Sequence, residues 1–272
     1  AQMFEGGLLT SNEIEDLEFT AGRLSRVLQR NATQYTPLTL SPLNRRFEKL
    51  GATAEHFDMA GLDYRFRKQW LARVHVAQLQ DIYRQQVFTL VNKSPWGAGT
   101  FSSDLRLSLM NDYGNAKGGK IDNRALQGLL GYAYKGHSLG LTYQRMLGDT
   151  GYANILGTDA NLINLSVLGD FANAKERSWA LRYGYDFANL GWPGLTINSR
   201  YISGSHAEIT GSQRIGKSWE LDNELRYVVQ QGPLKNLSVR LRSALYRSNY
   251  AKNFIRDTDD TRLMFNYTWN IK

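Results

Sequence analysis

The fold is decided near the carboxyl terminus, by the stretch Leu263-Met264-Phe265-Asn266-Tyr267-Thr268-Trp269-Asn270-Ile271. Every second residue of this stretch is a large apolar or aromatic side chain, and the residues between them are mostly polar. A period of two is typical of a β-strand, because successive side chains point to opposite faces of a sheet. The stretch therefore predicts a strand with one apolar face and one more polar face.

The same alternation recurs upstream in segments that share an apolar face opposite a charged or polar face. These segments are residues 62–67, 73–76, 104–109, 139–144, 181–187, 195–201, 221–229 and 237–245. Their polar faces repeatedly show arginine, and their apolar faces are rich in aromatic residues toward the strand ends. The recurrence predicts an all-β protein with antiparallel strands.

Two kinds of all-β protein fit this pattern. The mean hydropathy is −0.44, and no apolar run approaches the roughly 20 residues of a membrane-spanning helix. A transmembrane β-barrel is compatible with this low hydropathy, because alternate residues of its strands face water. The arginine-rich face and the aromatic strand ends favour an antiparallel transmembrane β-barrel over a soluble all-β fold, whose polar face would look at bulk water.

The charge balance narrows the possible partners. The 272 residues include 33 Lys and Arg against 25 Asp and Glu, a formal net charge of +8. An excess of this kind suits an anionic partner. The arginines are spread over many strands without a compact patch, so nucleic acid is not expected. There is no cysteine, and the four histidines lie in separate segments, so we expect no metal, no cofactor and no enzymatic activity.

Several stretches stand out along the chain from one end to the other, among them Phe57-Asp58-Met59-Ala60-Gly61-Leu62-Asp63-Tyr64, Asp81-Ile82-Tyr83-Arg84-Gln85, Asp122-Asn123-Arg124-Ala125-Leu126, Gly232-Pro233-Leu234-Lys235 and Arg247-Ser248-Asn249-Tyr250. In this order they resemble the OprD-type substrate-specific porins of Gram-negative outer membranes. The resemblance implies a barrel that has 18 strands in the family. About thirteen strands of typical length are visible here, so residues 1–272 are expected to form a single barrel domain without the family's N-terminal strands.

The resemblance also implies a function and a location. It implies passive uptake of small anionic or zwitterionic solutes that carry a carboxylate, such as organic acids and amino acids, across the bacterial outer membrane. The resemblance further implies contact with outer-membrane lipid and lipopolysaccharide and is compatible with a homo-oligomer. The alternative from another class is a soluble or non-transporting β-barrel or sandwich that binds small anionic ligands.

Candidate pathway residues follow from the resemblance and from the alternation together. The family's ladder of basic side chains matches Arg240 and Arg242, with Arg226 on the preceding strand and Arg262 on the last strand. Arginine suits this task, because its guanidinium stays charged and forms paired bonds to a carboxylate. Alternation adds further side chains to the same face: Arg106, Arg182 and Arg200. Asp159 resembles an acidic constriction residue that would attract the ammonium group of a zwitterion.

The sequence leaves two further points open. The arginines could instead be wall structure that pairs with Glu220, Asp222 and Glu224, and Asp159 could simply cap a turn.

The lengths of the connections, counted from the carboxyl terminus, predict that residues 147–177 form one long outer excursion. Part of it, from Asp159 to about Ser166, is expected to bend into the pore.

Overall fold

The computed structural model describes residues 2–250 and 257–268, which form fifteen β-strands and two short 3₁₀ turns. The strands are β1 (Met3–Ile14), β2 (Leu17–Leu28), β3 (Thr36–Thr39), β4 (Thr53–Ala54), β5 (Phe57–Phe66), β6 (Trp70–Leu79), β7 (Tyr83–Trp96), β8 (Gly99–Asp112), β9 (Asp122–Tyr134), β10 (His137–Leu147), β11 (Arg177–Asp186), β12 (Leu195–Ala207), β13 (Gly216–Val228), β14 (Ser238–Ser248) and β15 (Thr258–Asn266). The 3₁₀ turns are Leu43–Arg45 and Phe187–Leu190. No helix among the described residues has the length and apolar character needed to cross a membrane.

The strands form one antiparallel sheet in which almost every strand pairs with its neighbours along the chain. The expected strand count of about thirteen differs slightly from the observed fifteen. The two additional strands, β3 and β4, have only four and two residues. The other thirteen strands have nine to fourteen residues each and are the strands of typical length. Among the described residues, β1 pairs with β2 and β15 pairs with β14, without pairing to each other.

The alternation read from the sequence corresponds to two faces of this sheet. On the outward face, Leu225, Leu241 and Leu263 are paired across three strands and are 42%, 46% and 60% exposed. On the inner face, Glu224, Arg242 and Arg262 are paired in the same way. A broad apolar surface that no other part of the chain covers is the surface expected to face lipid. Trp269, which the alternation predicts on the same apolar face, lies outside the described residues.

The connections fall into two sets, one at each end of the strands. At the short-turn end they are residues 15–16, 67–69, 97–98, 135–136, 187–194 and 229–237. At the long-loop end they are residues 29–56, 80–82, 113–121, 148–176 and 208–215, and residues 249–250, which follow β14, lie at the same end. The turn at 135–136 shows how short the first set is, since Lys135 and Gly136 both have positive φ, as a two-residue hairpin turn of type I′ requires.

Two long-loop connections fold back onto the inner face of the sheet. Residues 148–176 contain no strand, which confirms the predicted single excursion within 147–177. This inserted segment meets the connection at 29–56 through the bridge between Leu40 and Ile155. Together they bury an apolar core against the sheet that includes Ile82, Met110 and Met146. The core therefore lies inside the curved sheet, at the long-loop end.

A labelling experiment tests the two faces. We expect spin labels at Val239 and Arg240, adjacent residues of β14, to report different environments, because neighbouring strand residues point to opposite faces. A label at Val239 should be accessible to oxygen dissolved in lipid, and a label at Arg240 to a water-soluble nickel chelate. Equal accessibility at both positions would contradict the assignment of the faces.

Candidate functional site

The predicted arginines lie together on the inner face of five consecutive strands, β11 to β15. Strand register pairs Arg182 with Arg200, Arg226 with Arg240, and Arg242 with Arg262. The alternation within each strand then places all six side chains on one face. Arg106, on β8, shares this inner face but is separated from the others by two strands.

Arg240 and Arg242 share one carboxylate. The Nε atoms of Arg240 and Arg242 lie 3.5 Å and 3.4 Å from the two carboxylate oxygens of Glu224. These distances exceed the roughly 2.7–2.9 Å of a charge-assisted hydrogen bond, and neither Nε atom has a hydrogen-bond partner in the described part of the chain. Two cations therefore compete for one anion, and neither is fully neutralised.

Two further arginines form closer ion pairs. Arg200 donates to Asp222 Oδ2 from Nη2 at 2.7 Å, and Arg262 donates to Asp260 Oδ1 from Nε at 2.8 Å. Asp222 and Glu224 thus pair with arginines, as the wall-structure interpretation proposes, but Glu220 does not. Arg226 donates to the hydroxyl of Ser238 at 3.1 Å, and no ion pair with it occurs among the described residues.

The inner face of these five strands consequently keeps a positive excess. Six arginines stand there with the four carboxylates of Asp186, Asp222, Glu224 and Asp260 along the same register rows. Arg106 is balanced separately, by bonds from Nε and Nη2 to both oxygens of Asp104 at 2.9 Å and 2.6 Å. On these rows two positive charges are therefore left in excess to attract mobile anions.

A cavity of about 740 Å³ opens beside these arginines. Its inner wall includes Arg182, Arg200 and Arg242, and on the neighbouring strands small residues such as Ser138 and Gly140 together with Leu129 and Lys93. A side chain on Gly184 of the same wall would approach the Ser138 hydroxyl to 2.6 Å. The small residues thus keep this part of the lumen open toward the short-turn end.

The inserted segment is bound to the inner wall by polar contacts that the sequence did not reveal. The carboxylate of Glu220 accepts from the Ser166 hydroxyl at 2.6 Å and from the backbone N–H groups of Leu168 and Gly169 at 2.9 Å and 2.8 Å. Gln127 accepts from the Ile163 backbone N–H at 2.7 Å. Glu220 therefore positions the inserted segment instead of pairing with an arginine.

Three of the predicted arginines also contact this segment, and the first, Arg106, donates from Nη1 to Asn161 Oδ1 at 2.6 Å. Arg182 donates from Nη2 to the Ile163 carbonyl, and Arg200 donates from Nη1 to the Leu165 carbonyl at 2.9 Å. These bonds fix each guanidinium at the edge of the cavity. Arg182 and Arg200 therefore connect the wall of the lumen with the part of the segment that bends inward, as the prediction for Asp159 to Ser166 requires.

Asp159 lies on the same segment but does not join the arginine cluster. Its side chain is exposed, and no hydrogen bond or ion pair involves it in the portion of the chain that the structure describes. Neighbouring Thr158 donates to the Ile155 carbonyl at 2.7 Å. The turn here is thus closed by Thr158, so the interpretation of Asp159 as a turn cap is not supported.

A buried ion pair joins the two inserted connections. Arg46 donates to both carboxylate oxygens of Asp170, from Nη1 at 2.6 Å and from Nη2. Burial acts to lower the pKa of Arg46, but the charge and hydrogen bonds of Asp170 outweigh it and raise that pKa. Beside them, burial raises the pKa of Glu176 to about 7. No signal in the sequence relates these residues, because they lie in two distant connections.

The described residues contain no group of three or more His, Asp or Glu side chains placed to hold a metal ion.

Comparison with known proteins relates this architecture to one family. The family model of the outer membrane porin, OprD family, matches residues 1–271. The chain is 30% identical over 268 residues to the porin-like protein GalP of Pseudomonas putida, covering 98% of this chain and 62% of that protein. It is 31% identical to Porin D of Pseudomonas aeruginosa, covering 99% of this chain and 64% of that protein. The chain thus spans less than two thirds of the length of these relatives.

Solved structures agree with the sequence matches. The crystal structure of Pseudomonas aeruginosa OccK5 (OpdH) is 45% identical with a TM-score of 0.91, and covers 98% of this chain and 72% of that chain. The structure of OccK11 (OpdR) from the same organism is 44% identical with a TM-score of 0.90, covering 98% of this chain and 70% of that chain. The transmembrane β-barrel fold, the outer-membrane location and the expectation of a non-enzymatic protein are therefore confirmed. The chain belongs to the OprD family of outer membrane porins.

Proposed function

We propose that this chain forms part of a substrate-specific channel that passes small carboxylate-bearing solutes, with its arginine-rich inner face as the pathway. The observation that carries the proposal is the positive excess on this face, where six arginines stand with four carboxylates along the same register rows, beside an open cavity. The alternative of a soluble binding protein predicts a polar outward face, whereas the outward face here is apolar and exposed.

The loose pairing of Arg240 and Arg242 suits conduction. A solute carboxylate can replace Glu224 as the partner of either guanidinium, because the existing contacts are long and one carboxylate serves two arginines. Arg226 and Arg262 lie directly beside this pair in the strand register. An anion can pass between such rungs without losing all its partners at once, and each site is weak enough to release it.

Arg182 and Arg200 are proposed to hold the carboxylate where the solute enters the cavity. Both are anchored by carbonyl groups of the inserted segment, so their positions depend on that segment. Asp159, exposed on the same segment, is proposed to attract the ammonium group of a zwitterionic solute. Organic acids and amino acids fit this combination of charges. The oligomeric state stays a prediction.

Replacing Arg240 and Arg242 together by Ala tests the proposal. The change removes two positive charges and leaves Glu224 without them, so the local charge becomes negative. The electrostatic interaction energy between two charges and a permeating ion about 8 Å away in water is about 1 kcal/mol, which changes the anion preference about fivefold. We expect a fall of that size in the chloride-to-potassium permeability ratio in 0.1 M salt, with slower benzoate flux. In 1 M salt the effect should shrink, because the Debye length falls to about 3 Å.

Glu224→Gln is the matched control, since it removes the shared anion and should raise the anion preference. Both variants should retain the circular dichroism of the folded parent, because their side chains lie on the water-filled side. A double arginine variant with the parent's permeability ratio and benzoate flux in 0.1 M salt would reduce these arginines to wall structure.

A further inference from the structure

Basic residues also occur on the outward face, at the long-loop end of four strands. We name this group the outward basic collar: Arg124 on β9, Arg145 on β10, Arg177 on β11 and Lys217 on β13. Alternation places each of them on the same face as exposed apolar residues, for example Leu126 and Tyr143. The collar is therefore separate from the lumen and from the arginines of the proposed pathway.

The collar follows a repeated pattern. On three strands an aromatic residue lies two positions nearer the middle of the sheet than the basic residue, on the same face: Tyr143 with Arg145, Trp179 with Arg177, and Trp219 with Lys217. Trp179 and Trp219 each contact Tyr201, with ring centroids 5.7 Å and 6.2 Å apart. Aromatic side chains at this level mark the boundary between the apolar band and the headgroups. The basic residues thus lie at headgroup level.

Collar residues lack acidic partners, unlike Arg247 on the outward face of β14. Arg145 and Arg177 are directly opposite each other in the register, a pairing of like charges that destabilises a sheet. None of the four collar residues forms an ion pair within the described ranges. By contrast, Arg247 pairs with Asp259 at 2.6 Å. The collar is thus a set of uncompensated cations that an external anion would stabilise.

We propose that the outward basic collar binds the phosphate groups of a phosphorylated glycolipid in the outer leaflet, that is, the lipid A headgroup of lipopolysaccharide. The long loops of this end are the outer ones in a barrel of this kind, and that leaflet presents phosphates at headgroup level. Arg124 lies diagonally from Arg145 in the strand register, so their Cβ atoms are about 7–8 Å apart. Arg177 lies directly opposite Arg145, and their Cβ atoms are about 5 Å apart. Three cations are close enough to serve one phosphorylated headgroup. The inference rests on the outer-membrane location and not on the proposed transport.

The test replaces Arg145 and Arg177 together by Gln and measures lipid binding to the protein in detergent by native mass spectrometry. The probes are bisphosphorylated lipid A, monophosphorylated lipid A and phosphatidylethanolamine. We expect the parent to prefer bisphosphorylated lipid A, and the variant to bind it roughly tenfold more weakly because two charge-assisted contacts are lost. Binding of phosphatidylethanolamine should not change.

Lys68→Gln with Lys135→Gln is the matched control, because it removes two exposed charges at the short-turn end and should leave lipid A binding unchanged. Folding of each variant is checked by circular dichroism before lipid is added. Equal lipid A affinity of the parent and the Arg145 and Arg177 variant would overturn the proposal. Displacement of lipid A by a few millimolar inorganic phosphate would also overturn it, since the collar would then be a site for free anions.

Discussion

Replacing Arg46 by Met is expected to release residues 148–176 from the inner wall while leaving the sheet folded. The side chains of Arg46 and Asp170 are 4% and 8% exposed, so the substitution leaves a buried carboxylate without its counter-ion. Breaking a buried pair in this way costs about 3–5 kcal/mol. The loss falls on the contact between the two inserted connections, because the strand ladders on either side do not involve Arg46.

Limited proteolysis of the folded protein measures this release. A loss of about 3 kcal/mol raises the open population of the segment by a factor of roughly 100, and cleavage within residues 148–176 should accelerate accordingly. The double variant Arg46→Met with Asp170→Leu should regain much of the parent's resistance, because replacing both partners by apolar groups leaves no buried charge. A single Arg46 variant as resistant as the parent would show that the ion pair does not hold the segment.

Attachment of the same segment is expected to weaken as the pH rises from about 4.5 to about 7. Burial raises the pKa of Glu176 to about 7 from an ordinary value of 4.5. In that interval the folded state binds more protons than the open state, so the free energy of opening falls with rising pH. The contribution of the protonated Glu176 carboxyl to the free energy of opening is fully present below about pH 4.5 and is lost as the pH rises through about 7. It amounts to about 3 kcal/mol.

The measurement is the cleavage rate of residues 148–176 at pH 5 and at pH 8. A protease with little pH dependence over this range is used, with a disordered peptide as the reference substrate. Glu176→Gln should protect the segment equally at both values, because an amide resembles the protonated carboxyl and does not titrate. Parent and variant with the same pH dependence would exclude Glu176 as the titrating group.

The two faces of the sheet could be predicted because they depend on a local property. With a period of two, the positions of Leu225 and Leu241 already imply that Arg226 and Arg242 point the other way. The excursion at 147–177 followed from connection lengths alone. The short strands β3 and β4 were not visible, because four and two residues hold too little alternation to be recognised.

The contacts within the candidate site could not be predicted in the same way. The sharing of Glu224 by Arg240 and Arg242 depends on the register between β13 and β14. Alternation does not determine this register, because a shift of two residues leaves every side chain on the same face. The role of Glu220 depends on where the inserted segment meets the wall. Such contacts join residues far apart in the chain, so single-strand patterns contain no information about them.

The inner face is expected to present a positive potential to solutes, and a single cysteine measures that potential directly. The chain has no cysteine, so Ser138→Cys provides one reactive thiol on the cavity wall. Its register partner, Gly184, is two residues from Arg182, so the thiol lies about 7–8 Å from that residue's backbone. This thiol is allowed to react with either of two thiosulfonate reagents of similar size, one anionic and one cationic.

The measurement is the ratio of their reaction rates with this thiol at low ionic strength, corrected by the ratio for a free thiol. We predict that the anionic reagent reacts roughly tenfold faster. The preference should fall when Arg182 and Arg200 are replaced by Gln, and nearly vanish in 1 M salt. A corrected ratio of one, or a faster reaction with the cationic reagent, would contradict a positive potential on the inner face.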